Sequence, residues 1–156
     1  MKDFMNYFSA KHALGNGTAI PAATTTNGDS IDVTALNGGN DGLVFVVDVG
    51  TITDGSHLLS LQDSIDGGST WNAVTGNYVQ TPSGQVNTVT SATPAKTILK
   101  FGYLGNANVG TLANSTTPTA NGKVLVRIID TCTGGSTGGY ITAIAILGYP
   151  QNEPAV

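Results

Sequence analysis

The sequence predicts an all-β protein, an antiparallel β-sandwich of about eight strands, and three observations carry that prediction. Apolar residues come in short runs, alternating or continuous, rather than at helical spacing. Clusters of Gly, Asn, Asp, Ser and Thr separate those runs at regular intervals, as turns do in sandwiches and barrels. Hydrophobic residues make up 40% of the 156 and charged residues only 10%, against about 25% charged in ordinary soluble domains. The chain can therefore build a core while leaving its outer faces neutral.

The first twenty residues stand apart. Phe4, Met5, Tyr7 and Phe8 cluster ahead of Gly15-Asn16-Gly17. The four-residue spacing of Phe4 and Phe8 allows a short helix ended by Gly15. Two roles are open: a segment that folds back onto its own sandwich, or an arm that docks into a neighbouring subunit through aromatic anchors. Pro21 to Asp29 reads as a loop. Ile31, Val33 and Ala35 alternate with Asp32 and Thr34 as a half-exposed strand, and Asn37 to Gly42 turns the chain. Leu43 to Val49 (LVFVVDV) is a near-continuous apolar run, expected to be buried on both faces or on one face plus an interface.

Gly50 to Ser56 then leads into HLLSLQDSIDGGSTWNAV, where Leu59 and Leu61 alternate with Leu58, Ser60 and Gln62. Ser64, Asp66, Gly67, Gly68, Thr70 and Trp71 form the densest turn signal in the chain. Asp66 can accept backbone N–H groups, the glycines can take positive φ, and Trp71 can cover the hairpin. Ser-Ile-Asp-Gly-Gly-Ser-Thr-Trp resembles the Asp-box, a structural β-hairpin turn of sialidase-like propellers. A propeller is excluded as the whole fold, because the motif occurs once and has no repeat.

Beyond Val74, Val86 and Val89 mark a weak strand ended by Thr93-Pro94. Ala95 to Leu104 is a stronger one, with Leu99, Phe101 and Tyr103 on its core side. Gly105 to Gly122 is a polar connection longer than most loops inside a compact domain. That length makes it a candidate partner-facing projection. Lys123 to Thr133 and Tyr140 to Tyr149 form the last pair of strands, joined by Gly134 to Gly139, with Arg127 expected on the outer side. Pro150 and Pro154 keep the tail out of the sheet. Strand centres near residues 33, 46, 60, 74, 88, 100, 127 and 144 give a jelly-roll type of sandwich. The expected organisation is an N-terminal arm and leading loop over 1–29, a jelly-roll domain over 30–150 and a tail over 151–156.

The residues offer little chemistry. The net charge is −4, with six scattered Lys and Arg residues, so the basic patch that grips phosphates is missing and no nucleic-acid partner is expected. No apolar run is long enough to span a membrane. No apolar h-region marks a signal peptide, which points to synthesis in a cytoplasm. Cys132 is the single cysteine. In an apolar strand without a basic neighbour it is expected to be a small buried hydrophobe. His57 is expected at a strand end, exposed to solvent. Neither histidine has the companions a zinc site needs. Asp63 and Asp66 lack the glutamate-rich loop of a calcium-binding EF-hand. A sialidase would need clustered arginines, and the chain has one. Neither an enzyme activity nor a cofactor or metal is expected.

The order of features is similar to that of the capsid cement, or decoration, proteins of tailed bacteriophages, in particular the small jelly-roll cement proteins related to that of a Bordetella phage. SIDVTAL precedes LVFVVDVG, then LLSLQDSIDGGSTW, and the chain closes with KVLVRIIDTCTGGSTGGYITAIAILGYP, so the likeness covers roughly residues 30–150. The resemblance implies a non-enzymatic virion protein on the outer surface of the capsid. It would be a homotrimer that bridges major capsid protein subunits against internal DNA pressure. Exposure logic offers Phe4, Tyr7 and Phe8, with Asn106, Asn108, Leu112 and Asn114, as partner contacts. The rival is a glycan- or host-surface-binding sandwich that uses Tyr78, Tyr103, Tyr140 and Tyr149.

Overall fold

The computed structural model describes residues 8–34, 42–106, 110–111 and 123–148. In chain order the strands are β1 (Phe8–Leu14), β2 (Thr25–Asn27), β3 (Ile31–Asp32), β4 (Gly42–Ile52), β5 (Ser56–Ser64), β6 (Asn72–Ala73), β7 (Val79–Gln80), β8 (Thr88–Thr90), β9 (Thr97–Tyr103), β10 (Gly105–Asn106), β11 (Gly110–Thr111), β12 (Leu125–Thr133) and β13 (Gly139–Gly148). A single 3₁₀ turn at Gly76–Tyr78 is the only helical element among the described residues.

Two antiparallel sheets face each other. The first runs β1-β13-β4-β9-β7; the second runs β2-β12-β5-β6, with β3 also on β12 and β8 also on β5. Taking β2 with β3 as one strand and β6 with β8 as another, and setting aside the two-residue strands β7, β10 and β11, leaves eight. The first sheet then holds the first, eighth, third and sixth, and the second holds the second, seventh, fourth and fifth. This interleaving is the jelly roll, and it follows from β4 and β5, like β12 and β13, entering opposite sheets after tight turns. The period of two puts one set of side chains inside. Leu43, Phe45, Val47 and Val49 of β4 meet Leu59 and Leu61 of β5 and Val126 and Ile128 of β12 in one buried cluster with Leu99, Phe101 and Tyr103.

The start of the chain differs from expectation. Residues 8–14 form no helix; they pair with β13 from Phe8 opposite Gly148 to His12 opposite Ile144. The reason is tertiary. Without β1, the long β13 would leave a row of backbone N–H and C=O groups unpaired, and satisfying them outweighs a weak local helix preference. A register shift between His12 and Leu14 marks a bulge, after which Ala13 and Leu14 are both buried. The sandwich therefore begins before residue 30, with β1 and β2 as integral strands. Likewise β4 runs on through Gly50 to Ile52, because Tyr140 sits against Gly50, where a Cβ would come 3.0 Å from that of Tyr140.

Candidate functional site

Four places on this frame concentrate polar groups or exposed apolar surface: two turns organised by aspartates, a buried polar cluster, and the outer face of the first sheet.

The turn after β5 is built by Ser64 and Asp66. The Ser64 hydroxyl donates to Asp66 Oδ1 at 2.7 Å and accepts from the Gly68 N–H at 2.8 Å. The Thr70 N–H donates to the same carboxylate at 2.9 Å. Gly67 and Gly68 have φ of 74° and 98°, a region that side-chain-bearing residues rarely adopt. These donors, the Thr70 N–H first, hold the Asp66 carboxyl down to about 2. Trp71 lies beyond the turn, with the Arg127 guanidinium 4.0 Å from its ring centre. Arg127 also donates through Nε and Nη2 to Gln62 Oε1, at 3.0 and 2.7 Å.

A second such turn went unmarked in the sequence. Asp54 accepts from the N–H groups of Gly138 at 2.6 Å, Thr137 at 2.9 Å and Ser136 at 2.9 Å. Its carboxyl is thereby lowered to about 2. One carboxylate thus fastens the glycine-rich link between β12 and β13 to the β4–β5 turn. The signal was present as Asp54-Gly55 and Gly134 to Gly139, but the two segments lie about eighty residues apart.

The buried cluster corrects two expectations. His57 is fully buried rather than exposed, because its strand parity is that of Leu59 and Leu61. Cys132 is buried, as expected, but it has a basic neighbour: β5–β12 register sets it opposite His57, with Sγ 3.5 Å from Nε2. On the other side of the ring, Nδ1 lies 2.7 Å from Asp130 Oδ2. Burial pushes the Asp130 carboxyl upward, against the lowering effect of His57, and its Oδ1 has no hydrogen-bond partner.

Thiol, imidazole and carboxylate follow the order of a nucleophile, its base and the group that orients the base. The surroundings differ from those of a nucleophilic site. Sγ is buried under the β4–β5 turn, close to Gly55, where a Cβ would come within 2.7 Å of it. Asp130 and Cys132 lie on opposite sides of the imidazole, so the three do not converge on one point as metal ligands would. Towards the other end of β5, Tyr103 is buried and donates its hydroxyl to Asp63 Oδ2 at 2.8 Å. Burial, then Asp63, raises its phenol further above the usual range.

The outer face of the first sheet is aliphatic. Cross-strand register places Ile146 beside Val44 and Ala10, and Ile144 beside Val46 and His12. On the far side, Val46 neighbours Lys100 and Asp48 neighbours Ile98. Ile98, Tyr140 and Ile144 are 51%, 48% and 46% exposed. With Val44 they put four large hydrophobic side chains on one face, with Asp48 and Lys100 between them.

No family model and no curated protein matches the chain. Among solved structures it is similar to a chain in the structure of infectious bursal disease virus Gx strain, with a TM-score of 0.40 and 15% identity, over 95% of this chain and 32% of that one.

Of the residues singled out as partner contacts, Phe8 lies on β1 at the edge of the first sheet and Asn106 on β10. Phe4, Tyr7, Asn108, Leu112 and Asn114 lie outside the described residues. The aliphatic face was half legible: LVFVVDV suggested an interface behind its buried side, but which strands would flank it depended on pairings the sequence does not show.

Proposed function

We propose that this chain is a structural virion protein that binds the outside of a phage head and cements neighbouring major capsid protein subunits. The observation that carries the reading is the largely aliphatic outer face of the β1-β13-β4-β9 sheet on a jelly-roll frame, interrupted by Asp48 and Lys100. Val44, Val46, Ile144 and Ile146 lose no strong hydration when covered, so a partner gains their burial at little desolvation cost. The order of sequence features shared with phage cement proteins supports the same reading. Self-association as a homotrimer, at three-fold positions on the shell, would let modest contacts act together through avidity.

The reading is non-enzymatic. Among the described residues, the arrangement that resembles a nucleophile with its base, Cys132 with His57 and Asp130, is buried. A glycan-binding alternative has lost part of its platform, since Tyr103 is buried against Asp63.

Cosedimentation with empty capsid shells tests the proposal. Saturable binding, with shells that resist heat better when the protein is bound, is the expected result. Failure to bind expanded and unexpanded shells alike would overturn it, and specific capture on a glycan array would favour the alternative. Light scattering of the purified protein checks the trimer separately.

A further inference from the structure

A groove opens beside the aliphatic face. It encloses about 660 Å³ between the 82–94 segment and β9, a volume in the range of sites that hold aromatic groups. Pro82, Val86, Pro94 and Ile98 supply its apolar lining, and Lys100 stands at its margin. Val86 is 68% exposed and Ile98 51%, which is unusual for two aliphatic side chains that share one groove. The Lys100 ammonium makes no ion pair among the described residues. The groove thus wants an apolar or aromatic group accompanied by an acid.

The chain carries such a segment. Asp3, Phe4, Met5 and Tyr7 precede β1, and β1 fixes where they start. Phe8 pairs with Gly148, which pairs with Gly42, whereas Ile98 lies opposite Asp48, which pairs with Thr142. Those two rows are six residues apart along β4, roughly 20 Å, and β1 and β9 are three strand spacings apart, roughly 14 Å. The straight-line separation is therefore about 24 Å. Four residues of fully extended chain from Phe8 to Phe4 span at most about 14 Å. The backbone of the chain's own Phe4 thus stops about 10 Å short of the Ile98 row of its own groove.

We propose that the groove of one copy receives the Asp3–Tyr7 segment of a second copy, with Phe4 and Met5 against Val86, Ile98 and the two prolines and with Asp3 beside Lys100. This deepens the cementing reading and rests on its self-association. It makes the aromatic segment the strap that joins copies, while the aliphatic face next to the groove stays available to the shell.

Mixed disulfide formation tests it. A Met5→Cys protein and a Ser83→Cys protein are mixed in equal amounts and oxidised mildly, so that any bond between the two new thiols joins different chains. Cys132 is buried and stays in place. The expected result is a heterodimeric band that forms in most of the material and is absent when Thr25→Cys, on the second sheet, replaces Ser83→Cys. No band above that control overturns the proposal. So does a bond that forms only when both thiols are on one chain, within a monomer. A charge swap gives a second readout: Lys100→Glu abolishes the mixed disulfide, and adding Asp3→Lys to the partner restores it. Restoration failing while both variants remain folded removes Asp3 from the contact. Shell cosedimentation is scored independently, so loss of cementing and loss of the strap are separate outcomes.

Discussion

The two sheets of this sandwich spend their polar residues in opposite places. The second sheet turns His57, Asp63, Ser64 and Asp130 inward and leaves Ser60, Gln62, Arg127 and Thr131 on its outer side. The first sheet turns an almost wholly apolar side inward and keeps Val44, Val46, Ile98, Ile144 and Ile146 outside. A buried polar group is costly unless it is hydrogen-bonded, and an exposed aliphatic face is unhelpful in an isolated monomer. The first arrangement fixes the geometry of one sheet; the second leaves the other sheet ready to be covered. On the proposed reading, the difference separates the part of the molecule that holds its shape from the part that meets a partner.

The strongest way to break that comparison is to act on the inner sides. Phe45→Ala on the first sheet should cost about 3–5 kcal/mol by opening a cavity, read from urea unfolding. Asp130→Ala would leave His57 Nδ1 buried without its hydrogen-bond partner and should cost about 1–3 kcal/mol. Ile144→Ser, one strand over from Phe45 and facing outward, should change stability by no more than about 0.5 kcal/mol while weakening shell binding. If Ile144→Ser unfolds the protein as Phe45→Ala does, the outward face belongs to the fold rather than to a partner.

What the sequence made legible follows the same division. Alternation in Leu59-Ser60-Leu61, in Leu99 to Tyr103 and in Val124 to Ile129 fixed which side of each strand is buried, because a period of two is local. Which strands lie side by side is not local. His57 meets Cys132 and Asp130 through a register spanning more than seventy residues, so a histidine that looks like a strand end becomes a core group. β1 was missed for a related reason: FSAKHAL has no strong strand pattern, and its conformation is imposed by the open edge of β13. The Asp66 turn could be read because its donors lie within four residues; the Asp54 turn could not.

The two aspartate turns give the acid test. Backbone N–H groups hold both carboxyls down to about 2, below their ordinary value near 3.8. Depressed values mean that the native state prefers the ionised form. The stabilisation is complete above pH 4 and disappears as the pH falls towards 2. Asp54→Asn should lower the melting temperature at neutral pH and flatten the loss between pH 4 and 2 relative to the parent. Asp66→Asn should do the same at the other turn. Melting curves that stay parallel to the parent's across that window would mean that neither carboxylate is held as the geometry indicates.

The smallest expected effect is on the outer side of the second sheet, where Arg127 covers Trp71. A lysine keeps the charge but lacks the planar group that stacks on the indole while donating twice to Gln62. Arg127→Lys should therefore cost about 0.5–1 kcal/mol, a fall of roughly 1–4 °C in melting temperature for a domain of this size. Trp71 is the sole tryptophan, so its emission reports this one place. Losing the guanidinium cover should admit water and move the emission to longer wavelength. Unchanged emission with an unchanged melting temperature would show that the stack contributes nothing, and the polar outer side of the second sheet would then be as free to meet a partner as the aliphatic side of the first.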